Sequence, residues 1–383
     1  MFVSHISDLH LGYAQFGLEE REEDVYQCFT ESVDVSIREG AGLVILAGDL
    51  FHTPRPSGKA VITLGNALKK LREKQIPVVF VLGEHDISRS RDVPFAYLFS
   101  NLGLARRLKL EEPVVVGNVA IYGENKARRN DIDGLIGRLH GCDKVARQQA
   151  GKKILVLHQG LSDFNKFAGE MNAADLPAGF DYYALGHYHD HLERRFDFLA
   201  GLLAYPGSLD LTPSEGIKET KKGFIIADMS GDEVQTHWVA LEQSRPQFSE
   251  KIAYPDMASE IARVIDRCVA DAKKNGKKPV ARLEVVGKEI DPKAIASNLL
   301  KLNDHCLHYV WQPVEEGGTA ARAYDSMPAD IDAELYRLST EALGSEELAK
   351  FAVNEILPLA AEKDAKGALD AVWEAYKSRR FAR

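Results

Sequence analysis

The sequence predicts an α/β fold built on parallel strands, followed by a smaller α+β unit and a helical tail. Short apolar, β-branched runs at 2–6, 42–47, 76–82 and 153–157 alternate with segments of helical period. The inner runs are continuously apolar, as strands covered on both faces are. Composition shifts after residue 240, where a second strand and helix pattern begins. A chain of 383 residues supports one sizeable core with smaller units attached.

The elements follow in order. Residues 2–6 read as a strand that enters the core at once, and 24–38 as a helix with Val25, Cys28, Phe29, Ser32, Val33, Val35 and Ser36 on one side. The run 42–47 is the next strand, and 60–74 is a helix with Val61, Leu64, Ala67, Leu68 and Leu71 at helical spacing. Strand 76–82 carries Pro77 near its start, where a missing N–H is tolerated. Residues 94–104 read as a short helix with an aromatic stripe, either core or a face shared with the 60–74 helix of a second copy. Strands are expected over 113–122, 153–157 and 182–185, with a closing hairpin at 224–228 and 233–239 around Ser230-Gly231-Asp232.

Residues 1–240 thus form one unit. A second, 245–315, reads β-α-β-α-β: strand 250–254, helix 257–273 stopped by Asn275-Gly276, strand 280–286, helix 291–303 and strand 306–311. Asp291 is the expected N-cap there, with Pro292 at the first helical position. A polar linker at 316–329 leads to helices over 330–339, 345–363 and 367–379. The last carries Leu369, Val372, Trp373 and Tyr376 on one face, a stripe that suits either a docking partner or packing back on its own domain.

The formal charge is −9, which argues against a wholly basic nucleic-acid surface but not against a local one, since bound metals invert the field of an acidic site. Positive clusters occur at 55–59, Arg89 with Arg91, 126–129, Lys221-Lys222 and 377–383; most are expected to be solvated surface. No apolar stretch reaches the ~18 residues of a membrane span. There is no charged n-region or cleavage site at the start, so secretion is not expected and a cytoplasmic location is. Cys28, Cys142, Cys268 and Cys306 match no zinc spacing and suit a reducing compartment. No Walker A sequence is present, so ATP binding by this chain is not expected.

The chemistry is concentrated in five segments: Asp8-Leu9-His10, Gly48-Asp49, Glu84-His85-Asp86, His158 and His187-Tyr188-His189. Each follows a strand-like run, and carboxyl ends of parallel strands are where ligands gather. Alternation around Leu9 and Tyr188 can turn paired side chains into one pocket, and Asp49 has two oxygens with which to bridge two metals. Two divalent metals about 3.5–4 Å apart can activate water and stabilise phosphoryl charge together. A mixed carboxylate and imidazole set suits manganese, iron or zinc better than magnesium or calcium. His5 inside the first strand reads as packing, His191 as loop surface, and Asp86 as a residue that orients a neighbouring histidine or begins a helix.

Asp8-x-His10, Gly48-Asp49, Gly83-x-His85-Asp86, His158 and Gly186-His187-x-His189 resemble the calcineurin-like metallophosphoesterases over the first 240 residues. Ser7-Asp-Leu-His-Leu-Gly12, Ala47-Gly-Asp-Leu-Phe-His52, Gly186-His-Tyr-His189 and Tyr205-Pro-Gly-Ser-Leu209 look like the archaeal double-strand-break repair nucleases of the Mre/SbcD type. The resemblance implies a four-layer αββα sandwich, a DNA-capping domain over 245–315 and a tail at 330–383 that docks the coiled coils of an SMC-like ABC ATPase. It implies two Mn²⁺ per subunit, one held by Asp8, His10, Asp49 and His189, the other by Asp49, Glu84, His158 and His187. His85 would donate a proton or stabilise charge beside the phosphate, and His52 would position the phosphodiester for exonuclease cleavage. It further implies a homodimer through helices near 60–74 and 93–103, and DNA ends, duplex and single-stranded, as substrates.

Arg55, Lys59, Arg89 and Arg91 lie in loops after ligand-bearing strands and are candidate phosphate-backbone contacts. One position departs from the family: Glu84 stands where asparagine is usual. A third carboxylate would tighten metal binding while weakening attraction for phosphate, so altered metal preference or reduced turnover is expected. Two rival readings follow: a DNA-end-binding scaffold with little nuclease activity, and a small-molecule phosphodiesterase, which leaves the second domain and tail without a role.

Overall fold

The computed structural model describes residues 1–88, 93–166, 168–315, 336, 339–340, 342–361 and 365–378. The chain divides into two compact units, Met1–Gly160 with Met171–Glu316, and Leu161–Glu170 with Gly317–Arg383.

The first unit opens with β1 (Phe2–Ile6), α1 (Glu19–Arg38), β2 (Ala41–Ala47), α2 (Gly58–Glu73), β3 (Val78–Val81), α3 (Tyr97–Asn101) and β4 (Arg106–Arg107). Then come β5 (Val114–Val116), β6 (Val119–Glu124), α4 (Ile132–Ala146), β7 (Lys152–His158), β8 (Tyr182–Gly186), β9 (Leu192–Arg195), β10 (Leu202–Tyr205), β11 (Gly223–Asp228) and β12 (Gln235–Ala240). They form two six-stranded sheets, ordered β12-β11-β1-β2-β3-β4 and β5-β6-β7-β8-β10-β9. β1 to β4 are mutually parallel, as are β6, β7, β8 and β10; the antiparallel strands lie at the sheet margins.

Period-two alternation splits each strand between layers. Val3, Leu43, Ile45, Ala47, Val79 and Val81 face Ile121, Ile154, Val156, Tyr182 and Ala184 in a core between the sheets. Ile6, Val44, Leu46 and Phe80 face outward onto Val25, Phe29 and Val33 of α1 and Leu64, Leu68 and Leu71 of α2. α4 buries Leu135, Leu139 and Cys142, the last beside Tyr122, and supplies the fourth layer. This is the four-layer αββα sandwich that the resemblance implies.

Several boundaries differ from expectation. α1 starts at Glu19, five residues early; its first turn holds Glu19, Glu20 and Glu22, which favour a helix N-terminus but show no apolar period. The single strand expected over 113–122 is a hairpin, β5 and β6, turning at Gly117, whose φ is 59°. The aromatic stripe of α3 divides: Phe99 is buried, while Phe95, Leu98 and Leu102 are exposed.

Residues 247–315 carry a separate parallel sheet, β13 (Gln247–Ala253), β14 (Val280–Gly287) and β15 (His308–Glu315), crossed over by α5 (Met257–Asn275) and α6 (Pro292–Leu299). Ala281, Leu283 and Val285 turn one face towards Ile261, Val264, Cys268, Ile295 and Leu299, giving it its own core. Gly276, at φ 70°, ends α5, and the Asp291 carboxylate caps α6 by accepting from the Lys293 N–H.

In the second unit, α7 (Glu346–Phe351) runs through a π-helical turn at Ala352–Ile356 into α8 (Leu357–Ala361), and α9 (Ala365–Lys377) follows. Pro358, which lacks an N–H, sits just after the irregular turn. The expected linker 316–329 and most of the expected helix 330–339 lie outside the described residues. No described helix is long and apolar enough to cross a membrane.

Candidate metal centre

The ligand segments converge where the carboxyl ends of β1, β2 and β3 in one sheet meet those of β7 and β8 in the other. Asp8 and His10 follow β1, Asp49 follows β2, Glu84 follows β3, His158 ends β7, and His187 and His189 follow β8. The chain turns sharply as it leaves each strand: Asp8, His10, Asp49 and His187 have φ of 52°, 46°, 49° and 104°. Positive φ is strained for residues with a side chain and is characteristic of functional sites. Gly83 has a steric reason, because a Cβ there would lie 2.1 Å from Asp49 Oδ1.

Two ligand sets form. Asp8, His10 and His189 bring one ligand atom each within 4.8 Å of one another, and so do Glu84, His158 and His187. Asp49 joins them: its Oδ2 is 3.7 Å from His10 Nε2 and 3.5 Å from His158 Nε2. His85 and His52 border the first set, with His10 and His85 ring centroids 4.8 Å apart and His52 stacked on His85 at 5.3 Å.

The donors fit divalent metals. Both ring nitrogens of His10 are buried and lack a hydrogen-bond partner, which is costly unless a cation takes the lone pair. His158 Nδ1–H donates to the Ala47 carbonyl at 2.7 Å, so Nε2 is the nitrogen that faces Glu84, at 3.0 Å. A divalent cation seated between that nitrogen and the carboxylate would take the place of a proton. Burial, partly offset by nearby carboxylates, holds His10 and His189 below the usual imidazole range and keeps them as neutral ligands. Burial also disfavours charge on His158, but Asp49 and Glu84 overcome it and draw positive charge to that position.

Neighbours fix the ligands. Ser7 Oγ donates to Asp8 Oδ2 at 2.6 Å, and the His187 N–H points at the same carboxylate, 3.2 Å from Oδ2. Thr212 Oγ1 donates to Glu215 Oε2 at 3.0 Å, which leaves the Thr212 oxygen to accept His189 Nδ1–H at 2.6 Å and aims Nε2 into the site. Lys222 completes the chain, donating to Glu215 Oε1 at 2.5 Å. Among the described residues Asp86 meets no histidine; its carboxylate accepts the N–H groups of Leu50, Phe51 and Gly83 and ties the β2 and β3 loops together. His85 Nδ1–H donates to the His52 carbonyl at 2.8 Å.

The remaining candidates fall elsewhere. Arg55 and Lys59 are exposed, and Lys59 pairs with Glu23 at 3.0 Å. Arg89 and Arg91 lie outside the described residues. His5 is buried against the Tyr182 hydroxyl at 2.9 Å, and His191 pairs with Glu193 and stacks on Trp238. Two lysines expected at the solvated surface are not there. Lys222 is buried, and Lys126 places Nζ 3.7 Å from Glu84 Oε2 and 3.4 Å from His187 Nδ1. Desolvation within the site resists ionisation of Glu84, although its side chain is 40% exposed, but Lys126 and then His187 hold it well below the usual carboxylate range.

The family model for calcineurin-like phosphoesterases matches residues 2–191, which hold all seven candidate ligands. The chain is 33% identical over 319 residues to "DNA double-strand break repair protein Mre11" of Sulfolobus acidocaldarius, covering 81% of each. The chain belongs to the Mre11 family. The Mre11 protein of Saccharolobus solfataricus is 29% identical, with 86% of each chain covered, and that of Methanococcus maripaludis is 35% identical over 60% of this chain and 63% of its own. As an Mre11-family phosphoesterase, the chain is a metal-dependent phosphodiester hydrolase with a binuclear divalent-metal site.

Proposed function

We propose that the chain is a manganese-dependent DNA nuclease that processes DNA ends in double-strand break repair, as a 3′-5′ exonuclease on duplexes and an endonuclease on single strands. The observation that carries this is Asp49 Oδ2 facing one imidazole of each ligand set. Asp8, His10, Asp49 and His189 would hold one Mn²⁺, and Asp49, Glu84, His158 and His187 the other. Bound there, the metals supply an activated water and stabilise charge on the phosphoryl oxygens.

The chain's own groups do the rest. His85 is anchored through Nδ1, which leaves Nε2 to hold or give a proton at the phosphate. His52, stacked on His85, would position the phosphodiester. The names of the relatives supply the repair context, and the resemblance read in the sequence adds an ABC-type ATPase partner.

The exposed Leu369, Val372, Trp373 and Tyr376 of α9 suit docking of that ATPase, and Ile62 of α2 with Leu98 and Leu102 suits a homodimer contact. Cleavage of a blunt duplex and a single-stranded circle, with manganese titrated from zero and an Asp49→Ala control, tests the reading. Manganese-dependent cleavage lost in the control supports it. DNA binding without cleavage at saturating metal would replace it with an end-binding scaffold.

A further inference from the structure

Lys126 is held at the metal centre by its own backbone. The Lys126 N–H donates to the Leu82 carbonyl at 2.8 Å, and Asn125 Oδ1 accepts the Leu82 N–H at 3.0 Å. The peptide at Leu82 is therefore gripped on both sides, two residues before Glu84. This strap delivers the ammonium to within 3.7 Å of Glu84 Oε2 and 3.4 Å of His187 Nδ1, with only 7% of the side chain exposed. A charge so enclosed is screened much less by solvent and salt than one at the surface. Glu84 meets three nitrogens, since His158 Nε2 and His187 Nδ1 each lie 3.0 Å from its oxygens. Two of the three belong to candidate metal ligands; the third is an ammonium that no ligand role requires.

We propose that Lys126 is the counter-ion of Glu84, and that the pair acts as one unit which keeps the loaded site attractive to phosphate. Asp8, Asp49 and Glu84 bring three negative charges to a site for two dications. That leaves a single net positive charge to meet the anionic substrate. Lys126 returns the charge that Glu84 removes, at the same edge of the site. It also fixes which way the Glu84 carboxylate points, because its ammonium lies by Oε2 while His187 takes Oε1. Lys126 is thus a positioning residue. The glutamate is tolerated because of it, and the lowered phosphate affinity that a third carboxylate would bring is offset within the same chain.

The inference rests on the binuclear phosphoesterase reading but not on DNA as substrate. The test uses the full chain loaded with Mn²⁺ and reads inorganic phosphate binding and Mn²⁺ binding by calorimetry, in wild type, Lys126→Met, Lys126→Arg, Glu84→Gln and the Glu84→Gln/Lys126→Met double variant. Lys126→Met should weaken phosphate binding about tenfold while Mn²⁺ binds at least as tightly as in wild type. The double variant should recover phosphate affinity to within about threefold of wild type, and Lys126→Arg should stay in that range. A double variant no better than Lys126→Met, or a loss in Lys126→Arg as large as in Lys126→Met, would overturn the pairing. Wild-type protein that binds both ions yet cleaves no DNA would count against the nuclease reading alone.

Discussion

Arg245 clamps Asp24: its Nε and Nη2 donate to the two carboxylate oxygens at 2.6 and 3.1 Å. Asp24 lies on α1 and Arg245 just before β13, so the pair joins the sandwich to the 247–315 sheet. Arg21, fully buried, adds bonds to Asp24 at 2.5 Å and Asp210 at 2.9 Å, and Lys277 reaches Asp24 at 2.9 Å. Beside them Gln15 and Gln247 exchange amide hydrogen bonds at 3.1 and 2.8 Å. The sequence boundary at 240–245 is thus bridged by a buried polar network.

Asp24→Asn strands Arg21, Arg245 and Lys277 with less negative charge than they need. Losing one member of a buried ion pair costs about 3–5 kcal/mol, and urea unfolding should register a loss of at least ~2 kcal/mol of that. The pH dependence has a definite sign. Burial alone would raise the Asp24 pKa, but hydrogen bonds from Arg245 and the charge of Arg21 bring it below 3.8. A depressed carboxylate stabilises the fold above its unfolded pKa, and that contribution disappears as pH falls through the folded value. The urea midpoint of wild type should therefore fall towards that of Asp24→Asn only below about pH 4. Convergence already at pH 6 would refute the assignment.

His5 gives the opposite kind of titration. Burial holds its pKa down to about 3, while an unfolded histidine titrates near 6.5. Between these values the unfolded chain binds the extra proton, so stability falls as pH is lowered through the window. The full effect approaches ~5 kcal/mol, and above pH 6.5 His5 contributes no slope. His5→Gln should flatten the stability profile between pH 6.5 and the acid limit. An unchanged slope would show that His5 is already charged in the fold.

The convergence of the candidate ligands was legible because metal chemistry needs particular residue types, and parallel strands deliver them at their carboxyl ends. Asp-x-His and His-x-His past apolar runs carry that signal without any neighbours. The positive φ of Asp8, His10, Asp49 and His187 was not legible, since only a packed scaffold holds such backbone. α4 was missed because Gly134, Gly137 and Gly141 interrupt it, each costing about 1 kcal/mol of helix propensity. β9 was missed because Leu-Glu-Arg-Arg is short, largely exposed and lies at a sheet edge. Lys126 and Lys222 read as surface because a lysine is buried only where a distant carboxylate meets it, and Glu84 and Glu215 were paired with them by the fold.

Asp86 should matter for metal binding without touching a metal. Its carboxylate accepts from the N–H groups of Leu50 and Phe51 at 3.1 and 3.0 Å, and of Gly83 at 3.0 Å. Asp86→Ala leaves those donors unsatisfied and frees the loops that carry Asp49 and Glu84. Loss of such an outer partner typically lowers metal affinity about 10–100-fold. Calorimetric Mn²⁺ titration should show a drop in that range with the circular-dichroism spectrum unchanged. Wild-type affinity in Asp86→Ala would show that the loops hold their shape without it.

Thr212 offers a sharper version of the same test, because it acts on one ligand only. Its hydroxyl donates to Glu215 and accepts from His189 Nδ1–H, so the His189 ring is held with Nε2 facing Asp8 Oδ1 at 3.7 Å. Thr212→Val keeps the shape and removes both bonds; Thr212→Ser keeps both bonds and loses a methyl. If the relay sets the His189 tautomer, the valine variant should bind the metal of the Asp8, His10 and His189 set about tenfold more weakly. The set built on Glu84, His158 and His187 should be unaffected. Two-site calorimetry separates the two, with one Mn²⁺ step moved and the other unmoved. The serine variant should behave as wild type. Equal weakening of both steps in Thr212→Val would mean that the substitution disturbs the whole site, and that the Thr212–Glu215–Lys222 chain has no particular hold on His189.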